Sequence, residues 1–431
     1  MERNVIKSYN VGVNLNCIAL EALFLLALLD LAGISLVHYF STLDILPDYS
    51  TRIIVLIRLF LLAIYLMLGI NIYFKKFSNI LSFMGIVLII TIAIIQLIWL
   101  PEISPRLSDR DIIGVINIPI ISLGYWLIGL NLSLIFNILL RKPIWKYILF
   151  LAYAAFIGTI IWSIIMSPQE PIQSIGLYLK TEEPANYQRI SDSFAILTFF
   201  IISTINNTYI RNAITLLGGV LLFFTLSRAS FLFFWLTIII LFLLKNRRRG
   251  ILPFILLFGF VFAAITIVSN FPLGPLEEYR IIKFVRAPFQ DESVQTRIIQ
   301  FSEGLQRLSE HWLLGSFMAE VTEGGGKGHY MHNWLSFWES YGLVPFILSC
   351  IMLGASIIGA IRTLRQKEIP NAQLFSALVG IYCFLSVTIA RAYIWSFVWI
   401  AFGALGTLWQ HEQNFKLKNS DLPLHFRKLK E

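Results

Sequence analysis

The sequence predicts an all-α polytopic membrane protein of about twelve transmembrane helices. Three observations carry the prediction. First, 57% of the 431 residues are hydrophobic and only 14% are charged, where a soluble chain carries roughly a quarter charged. Second, apolar runs of about 20 residues recur along the chain, the length a helix needs to cross a bilayer. Third, the basic residues sort to one side of those runs, as the positive-inside rule requires.

The predicted spans cover 11–40, 53–74, 80–100, 112–140, 147–165, 192–206, 212–227, 229–245, 251–271, 334–361, 374–391 and 393–410. The N-terminal Met1-Glu2-Arg3-Asn4 leads into the first run without a small-residue cleavage site, so that run is expected to be a retained helix and not a signal peptide. With the N-terminus in the cytoplasm, twenty of the 34 Lys and Arg residues fall on the inner side. The net charge of +9 then sets topology, and nucleic acid is not an expected partner. Cys17, Cys350 and Cys383 all lie inside apolar runs and read as packing residues. Segment 166–191 holds Pro168, Pro171 and Pro184 and reads as an outer loop. The basic end 411–431 reads as a cytoplasmic tail.

One long polar insertion, 272–333, separates spans nine and ten and falls on the outer face. Within it, Ile298, Phe301, Leu305, Leu308 and Trp312 recur at helical spacing, and Arg297, Gln300, Gly304, Arg307 and His311 form a polar stripe beside them. Such a helix lies on the membrane surface or on the bundle. Near the bilayer plane, Arg297 is placed to hold a phosphate in the fork of its guanidinium, or it belongs to an ordinary amphipathic surface helix.

The insertion ends in His329-Tyr330-Met331-His332-Asn333. If a helix begins near His332, then His332, Ser336 and Glu339 share one face. A histidine of near-neutral pKa there can take a proton from a hydroxyl, with Glu339 either orienting it or packed as a helix-end residue; a hydrogen-bonded interfacial histidine is the plain alternative. His329 and His332 lack a third ligand at close spacing, which argues against a metal. Gly324-Gly325-Gly326-Lys327-Gly328 lacks the Ser or Thr and the first glycine of a phosphate loop and reads as a hinge.

Charged residues inside apolar runs are costly and mark pairs or functional sites. Arg228, in Ser227-Arg228-Ala229-Ser230, is either an interfacial arginine or an anion-binding one. Asp30 and Arg58 lie at similar depth and are expected to pair, and Glu21 also lies within the first span. His38 and Arg391 can reach the same outer cavity, though no motif supports either.

In order and context these motifs resemble the O-antigen ligase and O-antigen polymerase family of bacterial surface polysaccharide assembly. The resemblance rests on Ser227-Arg228-Ala229, Thr296-Arg297-Ile298, Leu313-Leu314-Gly315, and His329, His332 and Asn333 followed by Glu339 and Gly342. It spans about residues 186–345. The chain departs from the family pattern at Gly315-Ser316-Phe317, where a Gly-x-Gly is common.

The resemblance implies a GT-C-type glycosyltransferase in the bacterial inner membrane, working at the periplasmic face. Its donor would be an oligosaccharide linked to undecaprenyl pyrophosphate, with no metal or other cofactor. Arg228 and Arg297 would bind the pyrophosphate and His332 would activate the acceptor. Arg189 and Asn333 are further substrate-binding candidates. A polymerase is the expected member, and a ligase transferring glycan to lipid A–core in lipopolysaccharide assembly is the nearest alternative. A chain-length regulator is a conceivable partner of the former. A lipid-linked oligosaccharide flippase and a structural subunit of an export complex are the rivals from other classes.

Overall fold

A computed structural model describes residues 17–42, 45–47, 49–68, 80–166, 187–225, 227–245, 292–322, 330–392 and 394–420. The described residues are helical, and strands are absent among them. In chain order the helices are α1 (Cys17–Ser41), α2 (Tyr49–Leu68), α3 (Ile80–Ile103), α4 (Asp109–Leu130), α5 (Leu132–Arg141), α6 (Pro143–Met166), α7 (Tyr187–Thr204), α8 (Thr208–Phe223) and α9 (Arg228–Lys245). There follow α10 (Glu292–Glu310), the short α11 (Ala319–Thr322), α12 (Leu335–Tyr341), α13 (Leu343–Leu364), α14 (Asn371–Ile389) and α15 (Val398–Ser420).

Among the described residues, seven segments are long and apolar enough to cross a membrane: α1, Phe83–Arg106, Ile112–Leu130, Pro143–Ile165, α9, α13 and α14. Three shorter apolar helices, α5, α8 and Val398–Trp409, supplement them. The second and sixth predicted spans are the helices α2 and α7. The ninth, with the loop up to residue 291, lies outside the described residues, as do His329 and the triple glycine.

Three boundaries differ from the sequence reading. The run 112–140 is two helices, because Asn131 interrupts it and donates its Nδ2 to the Tyr65 hydroxyl (2.8 Å) and the Leu127 carbonyl (2.9 Å). The run 334–361 breaks at Gly342, which has φ +82°. The last helix starts at Val398, not 393, and continues to Ser420, so the first half of the expected tail is helical.

The core lies around α7 and α14. Side chains from Ile190 to Ile205 are buried throughout, as are most of α14 from Ala372 to Cys383. Tight backbone approach locks α4 to α15: a Cβ on Gly129 would stand 2.2 Å from the Ile400 carbonyl oxygen, and one on Gly403 would stand 2.1 Å from that of Trp126. Small residues at such a crossing let helices close where lipid removes the hydrophobic driving force. On the outside, Val344, Ile347, Ile351 and Ile358 of α13 form an exposed apolar stripe suited to lipid.

Candidate functional site

The site gathers at the end of the bundle where α7 and α9 begin and α14 ends. Asp192, on the second turn of α7, has no exposed surface. Arg391, in the break between α14 and α15, grips it with Nε to Oδ2 at 2.9 Å and Nη2 to Oδ1 at 3.0 Å. Tyr382 Oη (2.6 Å) and Ser230 Oγ (2.6 Å) donate to Oδ1, and Trp395 Nε1 (2.8 Å) donates to Oδ2. The same guanidinium nitrogen donates to Ser227 Oγ at 3.2 Å and Ser230 Oγ at 2.9 Å. Three stretches distant in sequence, around Asp192, Ser230 and Arg391, are thus tied together through one carboxylate. A buried ion pair survives desolvation only when its remaining donors and lone pairs are satisfied in this way.

The two serines of Ser227-Arg228-Ala229-Ser230 therefore have a defined task, which is to complete the shell of Arg391. Arg228 opens α9 and is half-buried.

His332 lies within reach of the charge of Arg391, half-buried in the segment before α12. Burial, then the positive charges of Arg297 and Arg391, push its pKa down from the ordinary histidine value to about 4. His332, Arg297 and Arg391, from three separate parts of the chain, are therefore close enough to act on one another. The imidazole is neutral at pH 7 and can accept a proton.

The loop helix α10 is fixed against this segment by three devices. Arg307 Nε meets Glu339 Oε1 at 2.6 Å in a buried pair. Met331 fills the notch left by Gly304, where an added Cβ would lie 2.3 Å from its Cγ. Trp338 Nε1 donates to the Trp312 carbonyl at 2.5 Å. Beyond α10, Gly315 (φ +71°) and Gly342 (φ +82°) touch backbone to backbone; Leu343 N–H donates to Leu313 O at 3.1 Å and Ser316 N–H to Glu339 O at 2.7 Å. A Cβ on Gly342 would stand 2.5 Å from Leu313 O. The Leu-Leu-Gly and Glu-x-x-Gly motifs, 27 residues apart at Gly315 and Gly342, are two halves of one joint.

Several expectations change. Glu339 does not orient His332; it anchors Arg307. His332 is not on a helix, since α12 starts at Leu335. Asn333 caps that start, with Oδ1 accepting from Leu335 N–H at 3.0 Å and its carbonyl accepting from Ser336 Oγ at 2.7 Å. This gives it a structural task at that start. The polar stripe of α10 is the one that turns inward: Gln300 and Arg307 are buried, whereas Ile298 is 58% exposed and Trp312, just past the helix, 53%. The expected Asp30–Arg58 pair forms, with Nε to Oδ1 at 2.8 Å. Arg189 acts electrostatically on Asp30 and on Tyr125 and so sides with that pair. It is still only one helical turn from Asp192.

No protein-family model and no curated protein matches the chain. Function must therefore be argued from the motifs and from the chemistry of the site.

The sequence reading missed Asp192, Tyr382 and Trp395. The available signal was Asp192 itself, a carboxylate inside an apolar run, which is a candidate by cost alone. Its partner Arg391 lies 199 residues away, out of reach of any local pattern. Among the described residues, no group of three His, Cys, Asp or Glu is placed to hold a metal.

Proposed function

We propose that the protein is a GT-C-type membrane glycosyltransferase with about twelve spans, of the O-antigen polymerase kind. It moves a glycan from undecaprenyl pyrophosphate to the sugar hydroxyl of another lipid-linked unit, at the periplasmic face of the bacterial inner membrane. The observation that carries this reading is the convergence of Arg297 and Arg391 on His332, a neutral base set in positive surroundings.

In the proposed step, His332 takes the proton of the acceptor hydroxyl. The acceptor oxygen bonds to the anomeric carbon, and the bond from that carbon to the pyrophosphate oxygen breaks. The pyrophosphate departs with the electron pair and is stabilised by Arg228 and Arg297. Arg391, already held by Asp192, acts as a positioning residue. A pKa of about 4 describes the site without donor. An arriving pyrophosphate offsets the positive charge and raises the basicity of His332, so the base strengthens when the donor is bound.

The test supplies purified protein with a lipid-linked oligosaccharide, with and without lipid A–core. Lengthening of the glycan without lipid A–core is expected and rejects the ligase. Transfer only when lipid A–core is present establishes the ligase instead. Glycan crossing the bilayer without a new glycosidic bond establishes a flippase. His332→Ala should lower transfer roughly 10²–10⁴-fold, the range of a lost general base, with the thermal midpoint unchanged. Full activity in both His332→Ala and Arg297→Ala would remove the proposed site.

A further inference from the structure

At the far end of the α7–α8–α9 hairpin from Asp192 lies a cavity of about 350 Å³, large enough for a small-molecule headgroup. Counted along α9 at about 1.5 Å per residue, Lys245 lies roughly 22 Å from Ser230. The cavity is thus separate from the site around His332. Arg211 and Lys245 both line it, and they are near enough to repel one another. Neither has a carboxylate partner among the described residues, and the cavity lining contains no Asp or Glu. Thr208 and Asn212 add hydroxyl and amide groups, and Ile202 and Leu241 supply an apolar wall.

Two like charges held together in a partly enclosed space are unfavourable without an anion between them. Elsewhere the protein gives its buried cations carboxylates: Asp30 for Arg58, Glu339 for Arg307 and Asp192 for Arg391. The first-turn amides of α8 are not available either, because Asn207 Oδ1 accepts from Tyr209 (2.9 Å) and Ile210 (3.3 Å). An anion in this cavity must therefore be held by side chains.

We propose that this cavity binds the phosphate headgroup of an anionic phospholipid from the leaflet at that end of the bundle. Arg211 forks onto the phosphate oxygens, Lys245 adds a point charge, and Thr208 and Asn212 bond the polar headgroup. The acyl chains lie along the apolar wall. Basic pockets between spanning helices are a known setting for such headgroups. In sequence, Arg247-Arg248-Arg249 follows Lys245 after Asn246 and adds positive charge to that stretch of the chain.

The test is native mass spectrometry of the full-length protein titrated with phosphatidylglycerol, cardiolipin, phosphatidylcholine and glycerol 3-phosphate. Retention of the two anionic lipids over phosphatidylcholine is expected, and R211Q/K245Q should lower it at least tenfold. Equal retention by that variant, or equal retention of phosphatidylcholine, overturns the proposal. Binding of glycerol 3-phosphate as tight as that of the lipids also overturns it and marks a free-phosphate site. If R211Q/K245Q does not fold, a photo-crosslinking amino acid in place of the exposed Asn212 keeps the test alive. A phosphatidylglycerol adduct there supports the site, and none overturns it.

Discussion

Asp192 and His332 both lie within the influence of Arg391, and they treat charge in opposite ways. Around Asp192 the charge is closed: one carboxylate receives hydrogen bonds from Arg391, Tyr382, Trp395 and Ser230, with no surface left exposed. Around His332 the arrangement is open to solvent: burial first, and then the positive charges of Arg297 and Arg391, push the pKa of a half-buried imidazole down to about 4. A closed cluster suits architecture, because every polar group is matched within the protein. An open one suits a visiting anion, because an anion beside the imidazole raises its basicity.

Breaking the closed cluster should give the largest effect. Asp192→Ala leaves the Arg391 guanidinium buried and removes the acceptor for Tyr382 and Trp395. Losing one member of a buried pair costs about 3–5 kcal/mol. The expected result is a sharp fall in the thermal unfolding midpoint of the detergent-purified protein, partly restored in D192L/R391L, where both charges go. An Asp192→Ala protein as stable as the original would mean that the cluster does not hold the helices together.

How much of this was legible in the sequence follows from the same contrast. Apolar runs announced most helices, because length and composition alone decide whether a segment can cross a bilayer. The spacing of Ile298, Phe301 and Leu305 correctly marked α10 as a helix. It did not tell which face would turn inward, because the docking surface presents Glu339 to Arg307 and Met331 to Gly304. Asp30 and Arg58 were legible as a pair because adjacent spans bring them together. Asp192 and Arg391 were not, since only the tertiary fold brings residues 192 and 391 into contact. The sequence leaves Glu339 between orienting His332 and packing at a helix end, because its partner Arg307 lies 32 residues away.

A second substitution probes the joint that carries the open cluster. Gly342 has φ +82°, and an added Cβ would meet Leu313 O at 2.5 Å. Gly342→Ala should cost about 1–3 kcal/mol for the strained backbone and shift the segment that carries His332. Gly354→Ala on α13 is the control, because nothing lies within 4 Å of its added Cβ. Alanine there should leave the midpoint unchanged or slightly raised. Equal behaviour of the two variants in thermal unfolding and in glycan transfer would show that the Leu313–Gly342 contact is slack.

The smallest effect is one of pH, and its sign follows from the depressed pKa of His332. Its ordinary value is about 6.5, and in the folded protein it is about 4. Between these limits the unfolded chain binds a proton that the folded one does not, so stability rises with pH across that window. The contribution is fully present above about pH 6.5 and is lost as the pH falls toward 4. His332→Gln removes the titrating group, so the thermal midpoint should vary less steeply between pH 4 and 6.5 than in the unaltered protein. A soluble pyrophosphate should act in the same direction by a different route, since an anion beside Arg297 raises the pKa of His332 and narrows the window from below. If the slope is unchanged in His332→Gln, neither burial nor the two arginines depress the imidazole, and the open cluster loses its electrostatic basis.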